Sequence, residues 1–390
     1  MSKLFVHVRL PYFSDVMDDA PQYEECFSDM QIFLKNIKSR GINEQIVFVL
    51  NHMWEITFVK DLNFLHNFFK NKLKNYNVDF FILYSVCADD QDDLPKNIIK
   101  YNFFQSKTVH ATTINNQQTA KKWDKSKFRG LLLTGKAHKP QRLIPLKFLL
   151  DNNLLNEIDM EWSFFYYKEY AVDIKRFLNI NNGELQHFVS SASRNPDNIK
   201  VSQYGNLFSY DGFPYSQNLY SDTSWSLISE TGANRSVLWI TEKTYRAIIN
   251  RHPFILFGQP GSEEHLRSQG FKTFEYCFPI NYDNITSNEH RFEAAFKNIC
   301  HIRENWKNLD FERINDDVNH NYNVLFNSVV NEQKQLIKKL KFNDGDKICD
   351  ILLYDLFHFG HVFGADAEVS TVEDVVNGKK SIIYYYWDIR

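Results

Sequence analysis

Short apolar runs alternate with longer amphipathic segments from the first residues of this 390-residue chain onward. Lys3-Leu-Phe-Val-His-Val8 has the pattern of a buried strand and ends at Arg9-Leu-Pro-Tyr-Phe. Tyr23–Lys38 then carries apolar residues at helical spacing and stops at Arg40-Gly41. Gln45-Ile-Val-Phe-Val-Leu50 reads as a second strand, Phe58–Lys74 as an amphipathic helix and Val78–Val86 as a third strand. A continuous apolar run suits a strand buried on both faces, and strands separated by a helix pair in parallel. The expectation is an α/β fold with a parallel sheet.

The pattern then breaks and restarts. Thr108–Lys127 is polar and lysine-rich, as a linker would be. After it come a strand at Gly130–Thr134, a loop at Gly135–Pro140 and a helix from about Arg142 to Leu150. Further on, Trp225–Ser229 is a short strand, Thr241–Asn250 a helix, and Pro253-Phe-Ile-Leu-Phe257 a strand closing on Gly258. Asn288 to about Lys341 is a polar helical pattern, and Ser381-Ile-Ile-Tyr-Tyr-Tyr-Trp387 is strand-like. The length exceeds what one core organises well. The expected division is residues 1–125, residues 126–330, and a C-terminal extension at 331–390 that packs on the domains or forms an interface.

Composition removes several function classes. Lys plus Arg total 45 against 48 Asp plus Glu, so the net charge of −3 offers no general attraction to nucleic acid. Eleven of the fourteen arginines lie between Arg129 and Arg313, which places bidentate anion recognition in the middle of the chain. The 5 cysteines are scattered, with no CxxC pair, which argues against a disulfide framework or a zinc site. The N-terminus lacks a signal-peptide apolar region and no apolar run has the length of a membrane span, so a cytoplasmic location is expected. There is no Walker loop, GxGxxG, HExxH or Ser/His/Asp order, which disfavours a hydrolase or dehydrogenase.

The chemistry concentrates at Ser229-Glu230-Thr231 and Ile240-Thr241-Glu242-Lys243, between the strand at Trp225 and the strand at Pro253. Thr241 is a natural N-cap, which puts Glu242 and Lys243 in the first turn of the following helix. A glutamate there has a structural use, since it complements the positive helix end. Lys243 does not: a cation at that end is misplaced unless an anion sits nearby. A diphosphate would satisfy the lysine, and the adjacent glutamate could accept ribose hydroxyls.

The order of these pieces resembles the α-1,3-fucosyltransferases of glycosyltransferase family 10 and their fucosyltransferase-like relatives in phages and large viruses. Ile228-Ser-Glu-Thr231 is similar to that family's strand-end acidic motif, and Trp239-Ile-Thr-Glu-Lys243 to its aromatic-x-Thr-Glu-Lys motif. Arg251-His-Pro-Phe-Ile-Leu-Phe-Gly258 resembles the strand that follows. The likeness covers roughly residues 130–284. It departs from the family at Ser-Glu-Thr, where fucosyltransferases have Phe-Glu-Asn, and at Ile280-Asn-Tyr-Asp283, where relatives often have an acidic residue before Tyr-Asp.

The resemblance implies a GT-B-like enzyme, with two Rossmann-like domains facing each other across a cleft and the donor held by the C-terminal one. It implies an inverting, metal-independent transfer of fucose or a similar sugar from a nucleoside diphosphate, such as a GDP-sugar, with no other cofactor. The donor site would comprise Glu230, Thr241, Glu242 on the ribose, and Lys243 with Arg142 or Lys136 on the phosphates. The acceptor would be a hydroxyl of a glycan, a protein or a modified base, and a homodimer is compatible. The general base would be a carboxylate at a strand end of the N-terminal domain, for which Glu55, Asp89 and Asp90 are the candidates; His7 and Arg9 end the first strand. Two other readings remain. Asp90-Gln-Asp92 has the Asp-x-Asp form of a metal-dependent glycosyltransferase, or is an acidic loop closed by Pro95. The 34 Phe and 20 Tyr also suit a non-catalytic module that grips nucleic acid or glycan by stacking.

Overall fold

The computed structural model of the chain describes, apart from isolated positions, residues 3–10, 21–39, 45–57, 59–87, 94–102, 128–136, 140–152, 160–165, 222–230, 238–341, 347–351 and 370–371. The strands are β1 (Lys3–Arg9), β2 (Gln45–Thr57), β3 (Val78–Cys87), β4 (Ile98–Lys100), β5 (Gly130–Lys136), β6 (Met160–Phe165), β7 (Trp225–Ser229), β8 (Phe254–Phe257), β9 (Lys347–Ile351) and β10 (Ser370–Thr371). The principal helices are α1 (Pro21–Ser39), α2 (Val59–Leu73), α3 (Pro140–Asp151), α4 (Glu242–Ile249), α5 (Ser262–Ser268), α6 (Asn288–Asn305) and α7 (Phe311–Leu340). Among the described residues, those of Met1–Ser106 and Val329–Arg390 form one compact unit and those of Lys107–Ser328 a second. The protein is α/β, with parallel sheets and helices in each unit. The polar stretch 110–127 and the aromatic segment 381–387 lie outside the described residues.

The first unit is built on a six-stranded sheet in the order β10-β9-β1-β2-β3-β4. Every neighbouring pair is parallel except β10 with β9. Leu4, Val6 and Val8 of β1, Ile46, Phe48 and Leu50 of β2, and Ile82 and Tyr84 of β3 share one core with Tyr23, Phe27 and Phe33 of α1 and Leu62, Leu65 and Phe69 of α2. The intervening Phe5, Val47, Val49 and Leu83 are buried as well. Both faces of these strands leave water, which is why they read as unbroken apolar runs rather than alternating ones.

Strand β2 is longer than its apolar run suggests, because it continues past Leu50 to Thr57. Asn51 and His52 still pair in register with Leu83 and Tyr84 of β3; the register shifts between His52 and Ile56, and pairing resumes at Ile56 and Thr57. Parallel β9 contributes a strand to the β1 edge from the far end of the sequence.

The second unit carries a four-stranded parallel sheet in the order β6-β5-β7-β8. β5 lies between β6 and β7, and the chain places β6 on one side of it and then β7 and β8 on the other. The strand order therefore reverses between β5 and β7. α4 joins β7 to β8 and ends in a hydrogen-bonded stop: Arg251 N–H donates to the Ile248 carbonyl at 3.0 Å and His252 N–H to the Ala247 carbonyl at 2.9 Å. Arg251 occupies the left-handed position of this stop, with φ 54°. Its guanidinium, 3.9 Å from the Tyr322 ring centroid and donating to Asn319 at 2.9 Å, helps offset the strain of a non-glycine residue there. Pro253 follows and keeps the helix from resuming.

Packing at the start of β5 leaves no room for a side chain. Gly130 pairs with Met160 on one side and Trp225 on the other. A Cβ at Gly130 would lie 2.5 Å from Trp225 Cζ2 and 2.6 Å from Met160 Sδ. The indole cannot swing away, because it is fully buried and packs against Phe128. Gly130→Ala should therefore destabilise the second unit by about 1–3 kcal/mol, the usual cost of overpacking, read as a lowered midpoint in urea denaturation.

The outer edge of β8 is satisfied by a side-chain chain. Leu256 N–H donates to Tyr282 Oη at 2.9 Å, and Tyr282 in turn donates to the buried Glu263 carboxyl. Asp283 accepts from the Glu263 and Glu264 amides at 3.0 Å each, anchoring the start of α5. Burial pushes the Glu263 carboxyl up to about 8, against a counteracting hydrogen bond from Tyr282. Between the ordinary carboxylate value and that pH the folded chain holds a proton that the unfolded chain releases. The contribution of this group is thus fully present at acidic pH and is lost as pH rises through about 8. Denaturation of wild type and Glu263→Gln between pH 5 and 8 should show the wild type losing up to about 1.4 kcal/mol per pH unit relative to the variant; parallel pH profiles would refute the assignment.

Candidate functional site

The candidate site lies where β7 ends and α4 begins, and its anchor is Glu230. The residue is fully buried, and its own N–H donates to the Phe257 carbonyl at 2.9 Å, continuing the β7–β8 ladder by one bond. Its carboxylate accepts three further bonds. Oε1 takes the Thr241 backbone N–H at 3.0 Å and the Thr244 hydroxyl at 2.6 Å, while Oε2 takes the Thr241 hydroxyl at 2.5 Å. A carboxylate removed from water needs such donors to offset its lost hydration. Here they are the first residues of the very helix it must hold.

Thr241 caps α4 in extended geometry, with φ −112° and ψ −176°. Its hydroxyl is stretched between duties: it donates to Glu230 and is 3.5 Å from the Lys243 amide it would cap. Helix capping by Thr241 is thus secondary to its bond with Glu230. The same oxygen accepts from Lys243 Nζ at 3.0 Å, and Lys243 Nζ also pairs with Glu242 Oε1 at 2.9 Å. Both side chains are about a fifth exposed, at 18% for Lys243 and 22% for Glu242. The ammonium is therefore kept at the positive end of the helix by two oxygen acceptors and remains reachable from solvent.

Burial along α4 divides its residues. Thr244, Tyr245, Ala247, Ile248 and Ile249 are buried, whereas Glu242, Lys243 and Arg246 are partly exposed. Arg246 falls one turn after both Glu242 and Lys243, so it belongs to the same region of the helix surface. Below the sheet end, His252 bridges Ser226 Oγ at 3.0 Å and the Tyr220 carbonyl at 2.8 Å, both ring nitrogens being engaged in a buried network.

Several sequence-predicted residues converge by topology. β5 and β7 are neighbouring parallel strands, so Lys136 at the end of β5 and Glu230 just after β7 lie at the same, carboxyl end of the sheet. This is also the point of strand-order reversal, the position at which open α/β sheets leave a crevice for ligands. Lys136 is the last residue of β5 rather than part of the following loop, and Arg142 lies in the first turn of α3. The side-chain placements of Lys136 and Arg142 lie outside the description. In the first unit, Glu55 sits in the irregular part of β2, with its side chain likewise outside the description. Asp89, Asp90 and Asp92, after β3, lie outside the described residues, as do the side chains of His7 and Arg9.

Sequence reasoning missed two contributors, Thr244 and Arg246. The spacing Thr241-x-x-Thr244 beside a strand-end glutamate was the available signal for the first, and the i+3/i+4 relation to Glu242 and Lys243 for the second.

Removing the Glu230 carboxylate leaves three donors inside the fold without acceptors. Glu230→Ala should cost at least about 3 kcal/mol by the usual penalty for orphaned buried groups, measured by chemical denaturation. Glu230→Gln, which retains one acceptor oxygen, should cost less. Equal stability of wild type and the alanine variant would show that the clamp is not formed.

No protein-family model matches the chain, and no curated protein matches it.

Proposed function

We propose that this protein is a metal-independent, inverting glycosyltransferase that binds a nucleoside-diphosphate sugar in its second unit. The observation that carries the reading is the Glu230 clamp, which holds Thr241, Glu242 and Lys243 at the carboxyl end of β7, beside the strand-order reversal. A diphosphate brought to this end of α4 meets a positive helix terminus and the Lys243 ammonium. In the unliganded arrangement that ammonium pairs with Glu242. Transfer of Lys243 to phosphate oxygens releases the Glu242 carboxylate to accept ribose hydroxyls, so one event would arm both halves of the grip. Lys136 and Arg142 would add phosphate contacts from β5 and α3, and Arg246 stands one turn along α4 for a further one.

The reading includes the facing, GT-B-like pairing of two Rossmann-like domains that the sequence resemblance implies, with the acceptor held by the first unit. Glu55, Asp89 or Asp90 would accept the proton of the acceptor hydroxyl as its oxygen bonds to the anomeric carbon. The bond from that carbon to the diphosphate oxygen breaks, and the helix end and basic side chains stabilise the leaving diphosphate. Among the described residues no helix is long and apolar enough to cross a membrane.

A panel of GDP-, UDP-, dTDP- and CMP-sugars tests this directly. A diphosphate sugar, in large excess over its dissociation constant, should raise the melting temperature by several degrees, since a hundredfold excess contributes about 2.7 kcal/mol. Slow release of the nucleoside diphosphate should follow, undiminished by EDTA. Glu242→Ala should lose most of the thermal shift. No shift with any diphosphate sugar, or an unaltered shift in the variant, would overturn the reading; a shift without turnover would favour a binding module.

A further inference from the structure

The first unit contains a cavity of about 590 Å³ whose lining gathers lysines from several elements. Lys3, Lys70, Lys74, Lys96, Lys339 and Lys341 line it, opposed by one acidic residue, Asp79, which accepts a 2.8 Å bond from Gln45. Six lysines against one aspartate leave a net charge of +5 (6 − 1) at one spot of a chain whose total is −3. Lys70, Lys74 and Lys96 are exposed and, among the described residues, form no ion pair with a carboxylate.

Part of this charge has a local cause. Lys70 and Lys339 occupy the last turns of α2 and α7, where cations complement the negative helix end. The same cause extends to Lys74 and Lys341, which directly follow those helices, and Lys3 Nζ donates to the Lys341 carbonyl at 3.3 Å; Lys96, in the turn before β4, lies at neither helix end. Like charges gathered in one concavity repel one another, and a bound polyanion would relieve that repulsion. Apolar side chains, Val47, Val78 and Phe81 among them, line the cavity as well, and an apolar lining strengthens electrostatic attraction by lowering the local dielectric.

We propose that this cavity binds a small, multiply phosphorylated anion. Its volume falls in the range of small-ligand pockets. All its cations are lysines, which act as adjustable point charges on tetrahedral phosphates rather than as planar forks for a single carboxylate. The site lies at the amino ends of β1, β2 and β3, opposite their carboxyl ends, and is distinct from the α4 site, which belongs to the second unit.

Inorganic tripolyphosphate is the probe, added to the full chain in calorimetric titration and thermal melts at low and high ionic strength, with ATP and a single-stranded oligonucleotide in parallel. Saturable binding of one tripolyphosphate per chain is expected, raising the melting temperature and weakening with salt. In a Lys243→Gln background, which removes the phosphate contact proposed for the α4 site, the chain should still bind, and adding the triple Lys74→Gln, Lys96→Gln, Lys339→Gln change or the single reversal Lys96→Glu should weaken that binding at least about tenfold. ATP binding that follows the same variants supports the assignment. The proposal is overturned if wild type shows no saturable tripolyphosphate binding, if both cavity variants bind as their Lys243→Gln parent does, if Lys243→Gln alone abolishes binding, or if only the oligonucleotide binds.

Discussion

A buried carboxylate with three donors ties β7 to α4, and much of the second unit's organisation depends on it. Glu230 sits at the meeting of the β7–β8 ladder and the helix between those strands, with a backbone bond to Phe257 and side-chain bonds to Thr241 and Thr244. A solvent-exposed glutamate making the same contacts would contribute little, because water competes for each one. In a dry interior the exchange is unequal: the bonds add modest net stability, but their loss leaves a desolvated charge and orphaned donors. The start of α4 is therefore held in one position, and so are Glu242 and Lys243.

Burial separates structure from chemistry in this region. Thr241 and Thr244 turn inward to the carboxylate, while Glu242, Lys243 and Arg246 stay partly accessible. The pairing of Lys243 with Glu242 holds two charged groups as a mutually neutral pair. Turning Lys243 towards an anion would leave the Glu242 carboxylate without its partner, so the pair opens at least cost where a second group donates to that carboxylate. Arg251, strained into the left-handed position and stacked on Tyr322, closes the other end of the same helix. An eight-residue helix is too short to hold itself by propensity alone, so fixed ends matter more than its interior.

Much of the fold was legible in the sequence. Apolar runs marked β1, β3, β7 and β8 to within a residue or two, because strands buried on both faces must be continuously apolar. β2 was underestimated: Asn51 and His52 interrupt the apolar run, and only pairing with β3 carries the strand on through its register shift to Thr57. Lys136 was similarly read as loop although β5 reaches it. At the site, Thr241, Glu242 and Lys243 were legible as a helix start carrying an anion-compatible lysine. The three bonds to Glu230 were not, because they join residues eleven and fourteen positions apart, and neither helical nor strand periodicity pairs positions at those separations.

The sequence by itself determined the α/β class, the position of the main elements and the residue types at the start of α4, since these depend on local periodicity and capping. Tertiary structure decided the rest. It set the strand order and its reversal between β5 and β7, the addition of distant β9 beside β1, and the inward turn of Glu230. It also gathered lysines from strand, turn and helix ends around one cavity. The physical reason is common to all four. Each depends on groups far apart in the chain sharing a space from which water is wholly or partly excluded, and that dielectric and steric environment exists only once the chain has folded.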